Sequence, residues 1–168
     1  MEAIRPKQSI TEIATGFLDE GQLKAFVDFY SFLTNHKLAK AKTSNKSFSW
    51  AISYKHKKIG HFGFRGSLWS IDCFDLFSRN AWFEKCEKNL TVELKDFILA
   101  NINTTSSCCV KGVCHSVEKP VILGKMFLSR VCACRPIVFI NPDGKTLEYA
   151  KELLLIGKNI VAEMAETA

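Results

Sequence analysis

The sequence carries no complete catalytic signature. It has no G-x-S-x-G and no P-loop, and the three glycines of "GHFGFRG" (60–66) sit in what reads as a hairpin and open no helix, so dinucleotide binding is not indicated. No C-x-x-C pair is present, which removes the commonest dithiol redox motif. No stretch approaches about 18 consecutive apolar residues, so no membrane-spanning helix is predicted. The N-terminal "MEAIRPKQSITEIATGF" lacks an apolar run after its charges, so a signal peptide is not expected and the cytoplasm is the expected compartment. There reduced thiols are the rule, and a chain of 168 residues can bury enough core to fold without disulfides. The matches to the glycosylation pattern, such as Asn89-Leu90-Thr91, then carry no meaning. Internal repeats and long linkers are also lacking.

Tyrosine and tryptophan are scarce, three of each, against 13 phenylalanines. A phenylalanine-rich interior is the ordinary consequence, and a cavity lined by aromatic rings is the functional alternative. The net charge of +6 is spread along the chain, with clusters at 37–46 and 55–58. No recognition-helix pattern accompanies them, so nucleic acid is not an expected partner.

Hydrophobic periodicity divides the chain into helix, sheet and helix. Ser9 and Glu12 have capping-box spacing at the head of a helix over 9–20. Leu23, Phe26, Val27, Tyr30 and Leu33 recur at helical spacing, which predicts an amphipathic helix over 21–39. "KAKTSNKS" (40–47) reads as a basic loop. From Phe48 the period becomes two: Phe48, Trp50, Ile52 and Tyr54 share one face of a strand. Two further strands, 59–65 and 68–74, complete an antiparallel meander. Helices over 76–87 and 89–102 follow, then strand-like segments at 121–128 and 136–140. A long helix over about 143–165 closes the chain, with Asn141 as its candidate cap and Leu147, Ala150, Leu154, Gly157, Val161 and Met164 on one face. The predicted class is α+β: an antiparallel β-meander packed against N-terminal and C-terminal helices, with a cysteine-rich loop. One domain spans 1–168: a helical part (1–47), the meander (48–74), helices (75–103), the cysteine-rich loop and strands (104–140) and the last helix (141–168).

Five of the seven cysteines fall between 108 and 134, in "CCVKGVCH" and "CAC". On extended chain Cys132 and Cys134 point to the same side. Gly112 lets the chain turn so that Cys109 and Cys114 aim at one point. Two such pairs supply four thiolates, the number Zn²⁺ takes in a closed tetrahedral site. Cys109, Cys114, Cys132 and Cys134 are therefore the candidate metal ligands, with Cys108 and His115 as alternates. Buried reduced thiols are a second reading. A redox or disulfide role is a third, because Lys111, Lys119, Arg130 and Arg135 favour thiolates. Cys73 and Cys86 read as core residues.

Other candidates lie in the meander. His61 and Arg65 share a strand face, and with Trp50 or Trp69 nearby they form a candidate ligand face for an anionic aromatic molecule. His56, His61, Asp72 and Asp75 are a candidate polar cluster; no catalytic residue is assigned.

The back half, with Leu123-Gly124-Lys125-Met126-Phe127, Cys132-Ala133-Cys134 and Asn141-Pro142-Asp143, resembles small uncharacterised cysteine-containing proteins of anaerobic Gram-positive bacteria. Their pattern runs from a cysteine loop through LGK-x-F, C-x-C and NPD to a helix, and "SFSWAISYKHKKIGHFGF" is similar to their front part. Met126 stands where that pattern has an acidic residue. The resemblance implies a shared fold and cysteine site; the family has no settled function. The functional expectation is a non-enzymatic small binding or sensor-like domain with a cysteine-based zinc site. The alternatives are a small-molecule-binding domain with an aromatic-lined cavity and a thiol-dependent enzyme.

Overall fold

A computed structural model describes residues 9–43, 48–73, 86–104, 116–117, 121–129, 131–132 and 136–166. Ser9 caps helix α1 (Ile10–Thr15) through the full box: its side chain accepts from the Glu12 N–H, and its own N–H donates to Glu12. That contact holds the Glu12 carboxyl below the usual range. Gly16 ends the helix five residues earlier than the predicted 9–20 span. Asp19 caps α2 (Glu20–Asn35), which buries Phe26, Phe29 and Leu33 at helical spacing.

The predicted basic loop instead begins with a strand, β1 (Ala39–Lys42). It pairs antiparallel with β2 (Ser49–Tyr54), which pairs with β3 (Lys57–Arg65) and then β4 (Leu68–Asp72). Segment β9 (Val138–Ile140) returns to the far side of β4, giving a five-stranded antiparallel sheet in the order β1-β2-β3-β4-β9. Four short strands lie between: β5 (Ser116–Val117) pairs with β8 (Val131–Cys132), and β6 (Val121–Ile122) pairs with β7 (Lys125–Met126). The predicted single strand over 121–128 is thus a hairpin. Its turn is Leu123-Gly124, both at positive φ, as a tight two-residue turn requires. Helix α3 (Val92–Ala100) is capped by Thr91, and α4 (Gly144–Glu166) closes the chain. The predicted helix over 76–87 lies almost wholly outside the described residues.

Alternation puts Trp50, Ile52, Phe62, Phe64, Trp69 and Ile71 on one sheet face, and helices cover it. Phe26 of α2 meets the Trp69 ring edge-on, centroids 5.5 Å apart, and Phe29 meets the Phe62 ring at 5.8 Å. Trp50 stacks on its cross-strand neighbour Phe62 at 5.3 Å. Phe26, Phe29, Phe62 and Phe64 thus form core, their rings lying against one another between sheet and helix.

Helix α4 runs alongside α2 and in the same direction. Lys151 Nζ reaches Asp28 of α2 at 2.6 Å, and Lys158 Nζ donates to the His36 carbonyl just past its end at 3.1 Å. The stripe Leu147, Ala150, Leu154, Gly157 and Val161 is buried, as the sequence predicts. Close approach at Gly60 seats α4 on the sheet. A Cβ there would lie 2.9 Å from the Asp72 carbonyl oxygen and 3.0 Å from Leu154 Cδ2. Asn141 does not cap α4. It sits at φ 45°, accepts from the Trp69 N–H through its side chain, and donates its own N–H to the Trp69 carbonyl, so it extends the β4–β9 pairing.

Candidate functional site

The sheet register separates the residues of the predicted ligand face. Trp50 pairs with Phe62 and Trp69 with Phe64, and both indoles are buried on the helix-covered face. His61 alternates with Phe62, so it belongs to the opposite face, as does Arg65. The tryptophans therefore do not join His61 and Arg65 in one surface. Arg65 is exposed at the strand end, about 13 Å along β3 from His61. The Trp69 Nε1 is buried and has no hydrogen-bond partner among the described residues; its ring is held between Phe26 and Phe29.

On the second face the register forms a row: Ala41, Ala51, His61, Asp72, Val138. His61 and Asp72 are thus direct cross-strand partners, and Asp72 is 5% exposed. Both are engaged in interactions. His56 stands apart in the β2–β3 turn, and Asp75 lies outside the described residues.

Of the candidate metal ligands, Cys109, Cys114 and Cys134, with the alternates Cys108 and His115, lie outside the described residues. Cys132 is described. It is 1% exposed and disulfide-bonded, where reduced thiols are expected from the sequence. A sulfur in a disulfide has no thiolate lone pair to give a metal, so ligation by Cys132 requires its reduction. The backbone around it is pinned from two sides. Its N–H donates to the Asn103 carbonyl, and its register partner in the β5–β8 ribbon is Ser116, the residue that follows Cys114-His115 in the chain. Asn103 in turn donates to the Pro136 carbonyl, and Ile102 bridges to Ile137, so the ribbon hangs on the end of α3 and the start of β9.

Cys73 and Cys86 are free and buried, as the sequence predicts. Burial, then the neighbouring Asp72 charge, holds the Cys73 thiol far above its ordinary range. Burial pushes Cys86 up to about 12. Both stay protonated near neutrality and are poor nucleophiles. Among the described residues no group of three or more His, Cys, Asp or Glu converges as a metal cage, and no helix is long and apolar enough to cross a membrane.

This architecture defines an α+β domain, a meander sheet covered by helices on one face with a cysteine-bearing ribbon at the β9 side. No protein-family model matches the chain, and no curated protein or solved structure shows significant similarity to it.

Proposed function

We infer that the protein is a non-enzymatic binding or sensor-like domain whose responsive element is the cysteine segment 108–134. One observation carries the reading: buried, disulfide-bonded Cys132 is held in register with Ser116, next in the chain to Cys114-His115. Such a pairing would bring the two halves of the cysteine segment to one place. In the reduced state Cys109, Cys114, Cys132 and Cys134 would supply four thiolates for Zn²⁺, with no position left for a reacting water. Oxidation would remove two of these ligands: two thiolates would give up two electrons to a two-electron oxidant such as a peroxide, form the S–S bond and no longer hold the ion. The cytoplasm suits such an element, because the reduced, metal-loaded form is then the resting one.

The alternatives have less behind them. Between the sheet and α2 the aromatic rings pack against one another, and the two described free thiols are deprived of thiolate character by burial. The resemblance to the cysteine-containing proteins of anaerobic bacteria fits the same proposal.

The test is metal analysis of protein purified under reductant without added metal. About one zinc per chain, lost in acid as protons compete for the thiolates, is the expected result. Reduced protein that retains no metal and takes up none would remove the zinc reading.

A further inference from the structure

Charge is segregated in this molecule. From Phe29 to Ile71 there is not one Asp or Glu, whereas the same stretch holds eight Lys and Arg residues and three of the four histidines. Since the whole chain carries +6, the rest of it carries −2. The described residues of this acid-free stretch are contiguous in space as well: they are the C-terminal end of α2 and the β1–β4 part of the sheet.

The cations concentrate at one end, where three elements meet on Tyr54. The Lys55 ammonium lies 5.8 Å from the Tyr54 ring centroid and that of Lys158, from α4, lies 5.2 Å from it. Lys158 also binds the last turn of α2 through the His36 carbonyl, which brings exposed Lys37 to the same end. Lys57 and Lys58 open β3 opposite Tyr54 and Ser53. The carboxylates of α4 on this side of Lys158 are Glu163 and Glu166, in its last turns.

The turn chemistry singles out the hairpin tip. Lys55 and His56 sit at φ 45° and 63°. A two-residue hairpin turn with both φ positive favours Asn-Gly or Asp-Gly. Lys-His departs from that preference, and backbone that its surroundings hold in a disfavoured region clusters at functional sites. The comparable turn at Leu123-Gly124 uses glycine.

We propose that this basic end, led by the β2–β3 hairpin, binds the phosphate backbone of a nucleic-acid duplex without reading its sequence. A two-stranded ribbon fits a major groove, so the lack of a recognition helix does not count against it. The tip "YKHKK" has no Arg, Asn or Gln to read base edges, and its lysines are point charges suited to phosphates. Single strands need exposed aromatic faces for stacking, whereas the Tyr54 ring has two ammonium groups against it. A bilayer would be met by exposed apolar side chains, and the large exposed ones lie away from this end: Leu128, Val92 and Met126 on other segments, Phe48 and Leu68 at the opposite end of the sheet.

The test is fluorescence-anisotropy titration of the full chain against a short mixed-sequence DNA duplex over a series of salt concentrations. Binding is expected at low salt, with log affinity falling linearly against log salt. The variant Lys37→Gln/Lys55→Asn/Lys57→Gln should bind at least about tenfold more weakly, with a salt slope shallower by about 3. Because Asn suits positive φ, its melting temperature should be no lower than that of the parent, which separates lost binding from lost folding. Three outcomes would overturn the proposal: no duplex binding at low salt, a variant with undiminished affinity and slope, or tighter binding to phosphatidylserine–phosphatidylcholine vesicles or polyglutamate than to the duplex.

Discussion

The helix-covered face of the sheet and the cysteine ribbon are built by opposite means. On the first, large rings pack from four elements: Phe26 and Phe29 of α2 against Trp50, Phe62, Phe64 and Trp69 of three strands. Strand pairs are long there, five residues in register between β3 and β4. The ribbon has a two-residue pair, a single backbone hydrogen bond from Cys132 to Asn103, which itself donates to Pro136, and a disulfide at Cys132. The first region is held by apolar burial that chemistry in solution does not alter. The second is held in part by a bond that a reductant breaks. A responsive element belongs where stability is low and chemically adjustable, beside a frame that does not move with it.

The largest predicted effect breaks the frame. Trp69→Ala and Trp50→Ala should each lower stability by about 3–5 kcal/mol, measured as a shift in denaturant midpoint, because each leaves a cavity in a ring-packed core. An unchanged midpoint for either would mean that its ring is not packed in the core.

Cys132→Ser should act on the ribbon. We expect a loss of about 2–4 kcal/mol, typical of a removed disulfide. In hydrogen exchange the amides of Cys132 and Asn103 should open while those of β2 and β3 keep their protection. Equal loss of protection in β3 would abolish the distinction between the two regions.

Gly60→Ala probes the seat of α4. The added methyl would press on the Asp72 carbonyl and Leu154, so a loss of about 1–3 kcal/mol by thermal denaturation is expected. A neutral result would place α4 further from β3.

The smallest effect concerns Lys151, buried against the Phe32 ring and bonded to Asp28 and Glu148. Burial pushes its pKa down, but the two carboxylates outweigh this and raise it above the ordinary value. The raised value means that the folded chain holds this proton more tightly. The resulting stability is full below the ordinary lysine range, about 10.4, and is lost as pH rises through the higher folded value. Lys151→Met should cost about 1 kcal/mol, since both carboxylates are more than half exposed, and should flatten the alkaline limb of the stability profile. An unaltered alkaline limb would show the contact to be idle.

The frame was legible because its signals are periodic. Phe48 to Tyr54 alternate, α2 and α4 carry apolar stripes, and Ser9 with Glu12 announces a cap. Strand β1 was not legible, because "AKAK" shows no apolar face. Lys40 and Lys42 occupy core-facing positions of this edge strand and lay their ammonium groups over Tyr30 and Phe48. Inward-pointing charges of this kind also guard a sheet edge against pairing with another chain. The run "VILGKMFL" hid its turn, since Leu123 is buried although it adopts positive φ. The candidate ligand face failed on parity. Which strand face Trp69 shares with His61 depends on the length of the turn at Gly66, and the observed register puts them apart. The state of Cys132 was out of reach of spacing arguments: the same thiols suit a metal or a disulfide, and the cellular oxidant decides between them.

One measurement addresses the proposed exchange at Cys132: zinc content and Cys132 alkylation determined on the same samples across a redox titration. Zinc should be bound where Cys132 is reduced, and its release should track, step for step, the loss of alkylatable Cys132, with Cys73 and Cys86 unchanged. Zinc retained at full occupancy after Cys132 is oxidised, or a Cys132 that never leaves the thiol state under oxidant, would contradict it.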